Sequence, residues 1–145
     1  GMQHSLPISP DTWRKYIKPA YTAIYDVVHR AGKMVYMHTD GCIWPVIPDM
    51  KEAGVNGLNP QIRANGLEHL VDTCKGKICI DLDLDRQLFP FATPKQIEEH
   101  IEECTRALYL PEGGLMLAAE CAADVPLENI EAICCTLKRM QDFKG

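Results

Sequence analysis

The stretch Lys33–Cys42, KMVYMHTDGC, decides how the chain is read. Met34, Val35, Tyr36 and Met37 make an apolar run that stops abruptly at His38, Thr39, Asp40, Gly41 and Cys42. A buried strand emerging into a polar, glycine-punctuated corner has this pattern. The chemistry-bearing residues sit at the strand's carboxyl end. In α/β proteins ligands bind there, because side chains at strand ends reach a crevice while the strand body stays packed. Three further strand-like runs end in similar residues, at Asn59–Gln61, Asp81–Asp85 and Glu120–Cys121. The pattern predicts one site fed by all these strand ends.

Working outward, helices fill the intervals. Ser9-Pro10 has the chemistry of a helix start, with serine as N-cap and proline in the first turn. Trp13, Ile17, Ala20, Ile24 and Val27 or Val28 then recur at helical spacing and predict a buried stripe. Pro19 should kink this helix by removing a backbone hydrogen bond, and Gly32 ends it. A short helix over Ile43–Ala53 is closed by Gly54, and a compact one over Leu67–Cys74 is stopped at Gly76. Thr93-Pro94-Lys95-Gln96 reads as a capping box. The helix behind it carries Ile97, Ile101, Cys104 and Leu108 on one face and a solvated glutamate run on the other. Pro126 opens the last helix, with Ile130, Ile133, Cys134 and Leu137 as its expected stripe.

Strands are expected near 33–39, 55–59, 77–84 and 114–119. Strict β–α alternation means a parallel sheet with right-handed crossovers. A closed eight-stranded barrel takes about 250 residues. The 145 residues here therefore predict a single α/β domain over 1–145. It is a parallel sheet of four strand–helix units with a preceding helix, half of a TIM (β/α)8 barrel or a small open sheet.

Composition narrows the function classes. A net charge of −5 with no offsetting basic run argues against nucleic acid or a membrane surface as partner. No apolar run approaches the roughly 20 residues of a membrane span. The seven cysteines are an odd number with no CxxC pair, which fits reduced thiols and a cytoplasmic location better than a disulfide framework. Cys79, Cys104 and Cys134 read as core residues, whereas Cys42 and Cys121 lie at strand ends.

Four segments in order, GMQHSLPISPDTWRKYIKP, MHTDG, GVNGLNP and ADVPLENIEA, resemble the uroporphyrinogen decarboxylase superfamily. That superfamily joins the decarboxylase to zinc-dependent, corrinoid-linked methyltransferases such as methylcobamide:coenzyme M methyltransferase. The resemblance runs along nearly the whole chain and implies the C-terminal half of the family's barrel. It implies methyl transfer to a zinc-bound thiol or, alternatively, porphyrinogen decarboxylation; a non-catalytic half-barrel that binds a ligand or partner is a third reading. His38 matches the methyltransferases' histidine ligand, but Asp40 stands where their first cysteine would be. Cys121 lies near the place of the later cysteine.

Candidate site residues follow. His38 can be a metal ligand, a substrate hydrogen-bonder or a histidine satisfied by neighbouring strands. Asp40, two residues on, points the same way if the strand continues. Zinc accepts His, Cys and carboxylate, so His38, Asp40 and Cys121 would leave a fourth position open. Asp40 and Glu120 are the candidate catalytic carboxylates. Asn59, Gln61, Asp83 and Asp85 are candidate substrate-binding groups. Asp81 shares the strand face of Asp83 and Asp85 and is expected to be tied to backbone or a lysine. Cys42 is an alternative ligand, and Trp44 is expected to pack on a helix or cover a planar ligand. The expected cofactors are zinc and, on the substrate side, a corrinoid or porphyrinogen. Two apolar edge strands and an open inner face predict that the chain does not act as a lone monomer. Its expected partners are a second copy or a separate N-terminal half-barrel chain, with a corrinoid protein as a further one.

Overall fold

The computed structural model describes residues 1–145. Four strands, β1 (Tyr36–His38), β2 (Gly57–Asn59), β3 (Cys79–Asp83) and β4 (Leu115–Ala118), form one sheet in the order β1-β2-β3-β4. Every pairing is parallel. The architecture is the expected α/β half of a TIM barrel, with strands shorter than their apolar runs.

The register explains how one chain builds both a core and a site. Met37 lies opposite Leu58, Leu58 opposite Ile80, and Leu82 opposite Leu117. These residues share the sheet face that packs on the helices. Leu58, Ile80 and Leu82 are buried there with Ile47, Leu70, Ile97 and Ile101. Alternation sends Tyr36, His38, Asn59, Asp81 and Asp83 to the other, concave face.

Two helices, α1 (Pro10–Tyr16) and α2 (Lys18–Arg30), precede the sheet. Ser9 Oγ caps α1 by accepting from Thr12 N at 3.1 Å. Pro19 does more than kink the segment: the chain breaks at Ile17, and proline lies in the first turn of a new helix. The break changes which residues are buried. Tyr21, Tyr25 and Val28 pack on the core, whereas Ile24 and Val27 of the expected stripe are each 58% exposed. Aromatic contacts explain the preference, since the Trp13 and Tyr21 ring centres lie 6.1 Å apart and those of Tyr21 and Tyr25 5.6 Å apart.

After β1 a 3₁₀ turn (Trp44–Val46) leads into α3 (Ile47–Ala53), closed by Gly54 at φ 113°. Only glycine adopts that backbone readily. A short α4 (Ile62–Asn65), not expected from the sequence, precedes α5 (Leu67–Cys74). Helix α6 (Pro94–Leu108) begins with the expected capping box, Thr93 N donating to Gln96 Oε1 at 2.9 Å. Its stripe of Ile97, Ile101, Cys104 and Leu108 is buried throughout. In α7 (Leu127–Met140) the buried row is Asn129, Ala132, Ile133 and Thr136, and Cys134 is exposed rather than core. Ile133 is buried as expected and Ile130 and Leu137 pack against the core, while Asn129 joins the buried row, its Nδ2 donating to the carbonyls of Phe89 (2.7 Å) and Ala92 (2.9 Å). Cys42, by contrast, is packed at 5% exposure.

Strands β1 and β4 each pair on one side only. The concave face between them is more polar than expected of an open half-barrel. Tyr36 Oη donates to Asp81 Oδ2 at 2.7 Å, so Asp81 is held by a tyrosine rather than by backbone or a lysine. Gly57 makes room for that tyrosine ring, which would lie 3.2 Å from a Cβ at this position.

Removing the α6 cap tests the local account. Thr93→Ala should lower stability by about 1 kcal/mol without altering the spectroscopic helix content, measured by urea denaturation.

Candidate functional site

At the carboxyl ends of the strands, a cavity of about 510 Å³ is lined by His38, Asp40, Asn59, Gln61, Asp83, Arg86 and Glu120, with Ala118 and Ala119. A smaller one of about 240 Å³ adjoins it, sharing Asp40, Gln61, Asp83 and Arg86 and adding Arg63 and Asp85. Strand ends from the whole sheet thus meet in one place.

The side chains are fixed by a chain of hydrogen bonds. Asn59 Nδ2 donates to the Asp81 carbonyl at 2.6 Å, which turns Asn59 Oδ1 toward His38 Nδ1, also at 2.6 Å. An amide oxygen only accepts, so His38 carries its proton on Nδ1. Its Nε2 is left facing Asp40 Oδ1 at 3.5 Å. Gln61 Nε2 donates to the same Asp40 oxygen at 2.7 Å, while Gln61 Oε1 accepts from Gly41 N at 3.0 Å. Below this corner lies Asn65, 2% exposed. Its Oδ1 accepts from Ile43 N (2.8 Å) and Trp44 N (3.0 Å), and its Nδ2 donates to the carbonyls of Gly41 (3.1 Å) and Gln61 (2.8 Å). Asn65 locks the end of β1 to the end of β2.

The β3 side is held differently. Arg63 pairs with Asp85 at 3.2 Å, and Arg86 pairs with Glu120 across the gap between β3 and β4. His100 Nε2 accepts from Asp85 N at 3.3 Å from beneath the loop, and burial pushes its pKa down, so the imidazole is neutral and able to accept. Asn129 holds the far end of the same loop.

One titratable group in the site has no partner. Asp83 makes no side-chain hydrogen bond or ion pair, although every other titratable residue lining the larger cavity does. Burial pushes its carboxyl above the usual range. Arg86 and His38 oppose that shift, and Glu120 and Asp40 add to it.

Of the expected site residues, His38, Asp40, Asn59, Gln61, Asp83 and Glu120 line one cavity. Asp85 borders the adjoining one and is committed to Arg63. Cys121 lines neither: it is exposed, with a thiol raised by burial and by its neighbour Cys134. No set of three or more His, Cys, Asp or Glu side chains is arranged to hold a metal ion. The expected zinc ligands therefore do not fit, since His38 and Asp40 meet without the thiol. Trp44 stacks on His69 with ring centres 4.0 Å apart and does not cover the site. Arg86, Arg63, Asn65 and Asn129 were missed. Arg86 directly follows the DLDLD run and was the one most open to notice.

A parallel half-barrel with a polar site at its strand ends is the class that fold and site define. The family model described as uroporphyrinogen decarboxylase (URO-D) matches residues 5–140, and the chain belongs to that family. No curated protein matches the chain. No helix is long and apolar enough to cross a membrane.

The raised carboxyl of Asp83 makes a signed prediction. A carboxyl raised in the folded state favours folding when protonated, and that gain is lost as pH rises through its folded value. Asp83→Asn should therefore be more stable than the parent at pH 7. The difference should vanish below about pH 4, the ordinary aspartate range, as read by thermal melts across pH.

Proposed function

We propose that the chain supplies the C-terminal half of a URO-D-type site that binds a porphyrinogen-like tetrapyrrole without metal, with Asp83 accepting hydrogen bonds from pyrrole N–H groups. The observation carrying this reading is the uncommitted state of Asp83 in a cavity whose other charges are paired. Asp83 is half-buried and its oxygens still reach the cavity, so a ligand that brings N–H donors would give this carboxylate the partner the protein does not supply. Pyrrole nitrogens that gain positive character when the ring is protonated would be held by the same carboxylate. His38, with Nδ1 committed to Asn59 and Nε2 beside Asp40, is placed to pass a proton at Nε2. Zinc-dependent methyl transfer from a corrinoid, possible for the superfamily, lacks this support because Cys121 stands outside the cavity.

The open edges call for a second half. Closing an eight-stranded barrel with another copy would set α7 of one chain and α2 of the other over the same seam, where a barrel has one helix. A different half-barrel that ends on a strand has no such surplus, and we take it as the partner. Light scattering on the purified chain should accordingly show no closed two-copy species; a stable mass of twice the 16.3 kDa chain would overturn the choice of partner.

Binding is tested with uroporphyrin, an oxidised and fluorescent relative of the porphyrinogen. Titration should show saturable binding, weakened about tenfold or more in Asp83→Ala, the size expected when a charge-assisted hydrogen bond is lost. Equal binding by the Asp83 variant would contradict the reading, as would preference for cobalamin, whose ring nitrogens are occupied by metal.

A further inference from the structure

Beside the larger cavity, and sharing Arg86 and Glu120 with it, lies a third cavity of about 390 Å³ lined also by Pro90, Phe91, Ala122 and Asp124. Arg86 and Glu120 line both, so their ion pair borders the two cavities. Phe91 is 87% exposed, with no aromatic partner. A large ring turned to solvent beside a paired arginine is unusual in a chain whose other phenylalanines are packed, Phe89 being fully buried and Phe143 lying edge-on to Tyr109.

We infer that the Arg86–Glu120 pair is a displaceable gate: a ligand carboxylate takes the place of Glu120 on Arg86, and the ligand's apolar ring edge enters the cavity against Phe91. The ligand class is a carboxylate borne on an aromatic ring system, the separate pyrroles of a porphyrinogen included. The inference deepens the tetrapyrrole reading, since such rings carry carboxylate arms, but its own residues lie outside the Asp83 corner.

The physical case rests on exchange. The side chains of Arg86 and Glu120 are 43% and 65% exposed, so their pair is held loosely against water. Glu120 meets Arg86 through a single Nη1 contact, whereas an incoming carboxylate can take the guanidinium through two parallel N–H···O bonds and brings apolar area that Glu120 cannot. Phe91 gains a stacking partner in place of solvent. Arg86 is kept from collapsing onto the cavity floor because its loop is pinned from both ends. His100 accepts from Asp85 N, and Asn129 holds the carbonyls of Phe89 and Ala92. No such pinning reaches Glu120, which lies two residues past the end of β4 in an irregular segment and is itself exposed.

The test is a double-mutant cycle with pyrenecarboxylate as a fluorescent probe and uroporphyrin in parallel. Glu120→Gln frees Arg86 and should tighten pyrenecarboxylate binding by about three- to tenfold. Arg86→Gln should weaken it about tenfold, in line with loss of a charged partner. The gain from Glu120→Gln should disappear in the Arg86→Gln background, because it acts only through the guanidinium. Phe91→Ala should weaken the probe without changing the melting temperature. All these side chains reach solvent, and circular dichroism controls for folding. An unchanged or weaker probe affinity in Glu120→Gln, a gain that survives Arg86→Gln, or no probe binding in any variant would overturn the gate. Tightening for pyrenecarboxylate without any uroporphyrin binding would leave the gate standing and remove the tetrapyrrole reading. Asp83-dependent uroporphyrin binding indifferent to Glu120 would do the reverse.

Discussion

Successive side chains of a strand point to opposite faces, and in this sheet that alternation separates the core from the site. Leu58, Ile80 and Leu82 go to the helices, and from the very same strands Asn59 and Asp83 go to the cavity and Asp81 to the concave face, where Tyr36 holds it. A slip of one residue in any pairing would exchange the two sets, putting carboxylates into the helix layer and leucines into the cavity. A carboxylate buried without a partner is driven to its neutral form at a cost in stability. The parallel register is therefore imposed by the charges as firmly as by the leucines.

Around that register the chain places amides where rigidity is needed and ion pairs where it is not. Asn65 and Asn129 are each 2% exposed and hold backbone carbonyls of the loops that carry Gln61 and Arg86. Asn59 plays the same part for His38 and fixes its tautomer. The charged pairs Arg63–Asp85 and Arg86–Glu120 lie at the rim; Asp85 is mostly covered, but both side chains of the second pair stand well into water, where an ion pair contributes little to stability and exchanges readily. Stiff floor and exchangeable rim suit a site that recognises an anionic, ring-bearing ligand.

Much of the fold was legible because apolar runs and caps are local signals. The strand positions, the Thr93 box and the α6 stripe are all written within a few residues of where they act. The stripe of α2 was not legible, because the break at Ile17 and the packing of Tyr21 and Tyr25 on Trp13 depend on tertiary contacts. Cys134 was misplaced for a similar reason: Asn129 is polar, so periodicity alone could not mark it as buried. In the site, His38 and Asp40 meet although β1 has already ended at His38, so strand alternation is not what joins them. Nor could alternation tell that Cys121, one residue beyond Glu120, leaves the cavity once the strand has ended at Ala118. Pairing was equally invisible, so Asp83 and Asp85 looked alike although only Asp85 has an arginine.

The account turns on Asp83 being the one carboxylate in the cavity without a protein partner. Carbon-detected NMR titration of its side-chain carboxyl measures this directly. The account predicts a midpoint above the ordinary aspartate value of about 3.9 in the free protein, moving downward when uroporphyrin supplies donors. A midpoint at or below the ordinary value in the free protein would mean that Asp83 already has a partner, and would contradict it.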